Sequence, residues 1–151
     1  YKRQVLREGN DITIVGVSHS VEDSLRAADL LKEVGVNSEV IDPISLSPID
    51  NKIIRDSVNK TKKLLVVDNG WMTCGFSAEI IADIAVHCEN ISCQRLGFSD
   101  TPCPTTPTLE KYFYPNPQSI AKKANEMCGG DSKWSPPEVV QHEILSFKGP
   151  F

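Results

Sequence analysis

Long apolar runs are missing from this 151-residue sequence: none approaches the roughly 18 residues that a membrane-spanning helix requires. Positive charge is also in short supply, with Lys+Arg 16 against Asp+Glu 20 and a formal net charge of -4. A chain so balanced offers no basic field for phosphates, so neither nucleic acid nor a membrane surface is expected as a partner. Cysteines are few and odd in number. Cys74, Cys88, Cys93, Cys103 and Cys128 never stand in a C-x-x-C pair, which argues against a disulfide framework and a zinc ribbon and for a reducing compartment. The opening Tyr1-Lys2-Arg3-Gln4 has neither an initiator Met nor a signal-peptide pattern, so the chain reads as a soluble piece of something longer. A 40% hydrophobic and 24% charged composition fits one domain with a buried core.

What is present alternates between two patterns. Ile12-Thr13-Ile14-Val15-Gly16-Val17 is an almost unbroken β-branched run, as expected of a strand covered on both faces. Val21, Leu25, Ala28, Leu31 and Val34 then recur at helical spacing as far as Gly35, with Ser20 and Asp23 forming a capping-box pattern at the start. Residues 38–42 alternate and stop at Pro43, predicting a short second strand, and Ser47-Pro48-Ile49-Asp50 is expected to open the next helix. Leu64 to Asp68 gives a third strand, closed by Asn69-Gly70. A helix with a broad apolar side through Ala78, Ile81, Ala82, Ile84 and Ala85 follows, then a strand near Ile91 to Leu96. A Pro/Thr-rich surface loop spans 100–107, and a last helix runs from about Pro117 to Met127. Strands and helices in this alternation predict a three-layer α/β/α sandwich on a mostly parallel sheet. The domain is expected over 1–128. Residues 129–151 read as a tail outside the core, with Trp134, Phe147 and Phe151 suggesting that it docks on a surface.

Candidate chemistry is sparse. The first strand-to-helix turn, Gly16 to Asp23, is not G-x-G-x-x-G or a P-loop, and Glu22 and Asp23 occupy the positive end of the helix dipole where a phosphate would sit. No G-x-S-x-G elbow, H-E-x-x-H or clustered ligand set appears, so neither a serine hydrolase nor a metalloenzyme is supported and no catalytic residue is assigned. His19 stands at the carboxyl end of a central strand, where open α/β sheets place ligands, against the favoured plainer reading of a surface loop histidine bonded to nearby backbone. If the strand order reverses there, Ser18 and His19 share a crevice with Asp68, Asn69 and Gly70. Cys74 beside Gly75, at a helix start, is the one cysteine with a hint of an activating setting, against the plainer reading of a loop or filler residue. Trp71 reads as a cover for the sheet end or a subunit contact.

Taken together, residues 8–15, Glu39 to Asp50 and Leu65 to Trp71 resemble the transketolase C-terminal domain. Gly75-Phe76-Ser77-Ala78-Glu79-Ile80 is similar to the glycine-started helix of that family, and Leu96 to Pro104 to its Gly/Asp/Pro loop, which holds Asp100. The likeness runs from about Val5 to Met127 and is greatest to the beta subunits of 2-oxo acid dehydrogenase E1 components. It implies a five-stranded mixed sheet in the order 1-3-2-4-5, with an antiparallel first strand near Gln4 to Leu6. It also implies thiamine diphosphate and Mg²⁺ in the intact enzyme, bound by other domains. The Gly-Asp-Gly…Asn signature of the diphosphate site does not occur, since Gly129-Gly130-Asp131 has the wrong order.

The implied partners are an alpha subunit, a second beta subunit and a lipoyl acyltransferase core. The implied compartment is the mitochondrial matrix or the bacterial cytoplasm. Trp71 and Asp100 are the expected interface residues. This sequence departs from the family pattern in having Asp68 where a strand-ending Glu is usual, and Ser99 inserted before Asp100. The alternatives are a transketolase or deoxyxylulose-phosphate synthase domain, or a free-standing flavodoxin-like module that binds a small ligand in the crevice.

Overall fold

The computed structural model describes residues 4–137. Five strands form one sheet in the order β1-β3-β2-β4-β5, and they are β1 Val5–Arg7, β2 Ile12–Val17, β3 Ser38–Ile41, β4 Lys63–Trp71 and β5 Ser92–Phe98. β1 runs antiparallel to β3, and the other neighbours are parallel. This is the predicted sheet, strand order and orientation included. Every residue of β2 is buried, as its unbroken apolar run requires of a strand with layers above and below.

Two cores follow from the pleat. Ile12, Ile14, Leu65 and Val67 face α1 (Ser20–Glu33) and α5 (Pro117–Met127), joining Ala27, Leu31, Ile120 and Ala124. On the opposite face Val15, Val17, Leu64 and Val66 meet Ile54 and Val58 of α2 (Asn51–Thr61) and Ile80 and Ile84 of α3 (Phe76–His87). A one-turn α4 (Pro107–Glu110) lies in the loop between β5 and α5. None of the described helices is long and apolar enough to cross a membrane.

Four local expectations are corrected. Ser20 does not cap α1: His19 holds the cap position without a side-chain hydrogen bond, and Ser20 is the first helical residue with a buried hydroxyl. Helix α2 begins at Asn51 rather than in Ser47–Asp50, because Asp50 accepts the Lys52 N–H and is itself the cap. Asn69-Gly70 does not close β4; the strand runs on to Trp71, which pairs with Phe98. β3 is buried throughout instead of alternating, since helices cover both of its faces.

Trp134 packs against the first core, as do Met127 and Cys128, and Gln118 Nε2 reaches the Pro137 carbonyl at 3.4 Å, so the chain from α5 as far as Pro137 turns back onto its own domain. Phe147 and Phe151 lie outside the described residues.

Candidate functional site

The carboxyl end of β2 is shaped by Gly16. A Cβ there would lie 2.7 Å from the Val21 Cα and 2.8 Å from the Ser20 carbonyl oxygen, so only glycine lets α1 start directly over the strand end. The chain leaves β2 through Ser18, which has a φ of 56°, and reaches His19; both are exposed. On the neighbouring strand Val17 pairs with Asp68, so the register brings Ser18 and the segment Asp68, Asn69, Gly70 to adjoining strand ends. Ser18 is thus a neighbour of Asp68 and Asn69 across the strand pair. The strand order reverses between β2 and β4, the position at which open α/β sheets hold ligands.

The chemistry of that neighbourhood is acidic. Glu22 and Asp23 stand in the first turn of α1, while Asp68, paired with Val17, belongs to the opposite face of the sheet. Burial pushes the Asp23 carboxyl above its ordinary value, against the charges of His19 and Arg26 and with help from Glu22. The buried Ser20 Oγ, Asp23 Oδ1 and Asn69 Oδ1 have no hydrogen-bond partner among the described residues.

A magnesium-bound diphosphate does not fit here. The helix end that would receive it presents carboxylates, and no group of three or more His, Cys, Asp or Glu side chains among the described residues could hold a metal.

A cleft lies elsewhere, at the sheet edge between β3 and α2. It measures about 380 Å³ and is lined by Gln4, Pro43, Ile44, Ser45, Pro48, Ile49 and Asp50. None of the residues selected from sequence borders it.

Trp71 sits at the end of β4, where the chain turns tightly toward α3; a Cβ on Gly75 would fall 1.9 Å from the Trp71 carbonyl oxygen. Cys74, at φ 59° in that turn, is exposed. The Trp71 ring packs edge-on against Phe98 at 5.7 Å and Phe113 at 6.0 Å, while Phe98 stacks on Phe113 at 4.9 Å and Tyr114 closes the group. Ser99 ties the loop back, its N–H donating to the Phe113 carbonyl and its hydroxyl to the Tyr112 carbonyl.

This aromatic cluster was not found from sequence. The signal was the run Tyr112-Phe113-Tyr114 inside a segment that reads locally as loop. Around it Trp71 is 50% exposed, Leu109 55% and Tyr112 70%, and exposed Asp100 follows Ser99 directly. Of the two expected interface residues, Trp71 belongs to the aromatic cluster and Asp100 follows the Ser99 that is hydrogen-bonded to it.

The family model described as Transketolase, C-terminal domain matches residues 2–120. Among curated relatives, the acetoin:2,6-dichlorophenolindophenol oxidoreductase subunit beta of Bacillus subtilis is 35% identical over 85% of this chain and 38% of its own length. The mitochondrial pyruvate dehydrogenase E1 component subunit beta of Pisum sativum is 33% identical over 84% of this chain and 36% of its own, and that of Saccharomyces cerevisiae is 36% identical over the same shares. This chain therefore spans a little over a third of the length of these relatives. A solved split-gene transketolase, described as an inactive beta4 tetramer, superposes with a TM-score of 0.75 at 25% identity, covering 83% of this chain and 41% of that one. On motif, sheet order and sequence alike, the chain belongs to the transketolase C-terminal domain family.

Proposed function

We propose that this chain is the C-terminal domain of the beta subunit of a 2-oxo acid dehydrogenase E1 component, and that its part in the enzyme is assembly. The observation that carries the reading is the likeness to pyruvate dehydrogenase E1 beta subunits, at 33% and 36% identity over 84% of the chain. In the intact enzyme a 2-oxo acid is decarboxylated on thiamine diphosphate and the acyl group passes to lipoamide, with cofactor and Mg²⁺ held by the enzyme's other domains. The acidic first turn of α1, unsuited to a diphosphate, supports leaving that role to them. What this domain offers is surface. The flank of Trp71, Leu109, Tyr112 and Asp100 has the mixed aromatic and polar character of a subunit contact, and its partners on this reading are the second beta subunit and the alpha subunit. A lipoyl acyltransferase core docks on the assembled enzyme. The compartment is the mitochondrial matrix in a eukaryote and the cytoplasm in a bacterium.

The likeness to a split-gene transketolase favours a second reading, a transketolase-type enzyme with the same division of labour. One experiment separates them. The subunit encoded by the full reading frame, purified with its alpha subunit, is passed over an immobilised lipoyl acyltransferase core. Retention supports the dehydrogenase reading. Passage without retention over cores of the pyruvate and branched-chain types overturns it in favour of the transketolase type. A reading frame with no pyrimidine-binding domain before Tyr1 overturns both.

A further inference from the structure

Two cysteines that neither the fold nor the proposed assembly role uses lie at the amino-terminal edge of the sheet beneath α3. Cys88 ends that helix, its N–H donating to the Ile84 carbonyl at 2.8 Å. The chain then turns through Asn90, at φ 57°, and enters β5, where Ser92 N–H is pinned to the Lys62 carbonyl at 3.1 Å. Cys93 is the second residue of β5 and pairs with Leu64 of β4. Paired residues of parallel strands point to the same face, and Leu64 belongs to the core beneath α2 and α3, so Cys93 is turned toward the helix that Cys88 ends. Both sulfurs pack, half-buried, against that one core.

Their surroundings differ. Burial pushes the Cys93 thiol above its ordinary value, and the nearby Cys88 adds to the effect. The Arg55 guanidinium is held charged first by its hydrogen bond to Asp83, and the charge of Cys88 adds to the effect. The remaining cysteines have other settings: Cys74 and Cys103 are exposed, and Cys128 faces the Asp11 carbonyl at 3.8 Å.

We infer that Cys88 and Cys93 form an oxidisable dithiol, converted by hydrogen peroxide into a disulfide that ties the end of α3 to the start of β5. The Cys88 sulfur, as thiolate, attacks one peroxide oxygen; the S–O bond forms, the O–O bond breaks, and the departing hydroxide leaves as water with the proton that Cys88 gave up. The Cys93 sulfur then attacks the Cys88 sulfenic acid. The S–S bond forms, the S–O bond breaks, and the hydroxyl leaves as a second water carrying the Cys93 proton. Two thiols lose two electrons in all, and one peroxide gains them. Cys93, kept protonated by its burial, is the resolving partner.

The test treats the reduced full chain with hydrogen peroxide, blocks free thiols with iodoacetamide in denaturant, and cleaves after glutamate and arginine, the cut at Arg95 parting Cys93 from Cys103. Glu89 lies between the two cysteines, so a bond between them leaves two peptides joined, which separate on reduction. The expected result is that joined pair, with two of the five thiols lost to alkylation and the far-ultraviolet circular dichroism unchanged. Cys88→Ser and Cys93→Ser each lose the link, and in Cys93→Ser a 1,3-dione probe traps sulfenic acid at residue 88. Alkylation of both cysteines after peroxide, a link from either to Cys74, Cys103, Cys128 or a second molecule, or loss of the native dichroism on oxidation overturns the inference. The mass of the wild-type chain decides it even if a variant fails to fold.

Discussion

Replacing Lys60 by Met should reverse the sign of one acid-dependent contribution to stability. Glu39 projects from β3 with its side chain only 5% exposed, and it meets the Lys60 ammonium of α2 and the Gly9 N–H at 3.3 Å. Burial by itself would raise this carboxyl, but the Lys60 and Ser57 hydrogen bonds, the Gly9 N–H and the Lys60 charge outweigh it and hold the group below its ordinary value of 4.5. A carboxyl depressed in the folded state favours folding above its unfolded value, and that contribution is lost as pH falls from about 4.5 through the folded value.

Without Lys60, burial is opposed only by the Ser57 and Gly9 hydrogen bonds, and the prediction is that it then outweighs them and lifts the folded carboxyl above the unfolded one. The variant should then be penalised above pH 4.5 and relieved as the pH drops. Leaving a buried carboxylate without its cation costs about 3–5 kcal/mol when both groups are enclosed. Lys60 is 44% exposed and its place is open to water, so the expected loss at neutral pH is nearer 2 kcal/mol. Glu39→Gln keeps an acceptor for Gly9 and should cost about 1 kcal/mol with little dependence on acid. Urea unfolding of the three proteins between pH 3 and 7 reads this directly. If Lys60→Met loses stability with acid along the same slope as the parent, the ion pair is not what holds Glu39 ionised and the reasoning fails.

Other perturbations have defined outcomes. Gly16→Ala places a methyl within 2.9 Å of the Ser20–Val21 backbone and should destabilise by about 1–3 kcal/mol in thermal or urea unfolding. Thr13→Val removes one hydroxyl from a buried trio in which Thr13 lies 2.7 Å from both Ser57 and Thr61; the cost by urea unfolding is about 1 kcal/mol, since Ser57 keeps its bond to Glu39 and Thr61 its bonds to the Ser57 and Lys63 carbonyls. Trp71→Ala forfeits the edge contacts to Phe98 and Phe113, about 1 kcal/mol by unfolding, and weakens co-purification with the partner subunits by more than that loss of stability explains.

Sequence was most informative where neighbours impose one local pattern. β2 and the first half of β4 are enclosed on both faces, so their apolar runs had no competing reading, and Pro117 to Met127 carried its helix bounds because Asn116 and Ser119 cap each other. It misled where a local signal met a distant partner. Asn69-Gly70 is turn-prone as a dipeptide, yet β5 pairs alongside as far as Phe98 and keeps the chain extended. Glu39 reads as the wet side of an alternating strand, and only Lys60, Ser57 and Gly9, brought together by the crossover, make its burial tolerable. Ser18 and Asp68 could be placed side by side because the strand order determines it. The Trp71, Phe98, Phe113 and Tyr114 cluster could not, since its members come from a strand, the next strand and a loop with no common periodicity.

The division of labour between this domain and the rest of its enzyme is tested most directly by carbon dioxide release from pyruvate and branched-chain 2-oxo acids, with thiamine diphosphate and Mg²⁺ supplied. The account predicts none from the 151-residue chain alone, and turnover of at least one of these acids once the complete beta subunit is paired with its alpha subunit. Release by the isolated chain, or inactivity of the complete pair toward all of them, would contradict it.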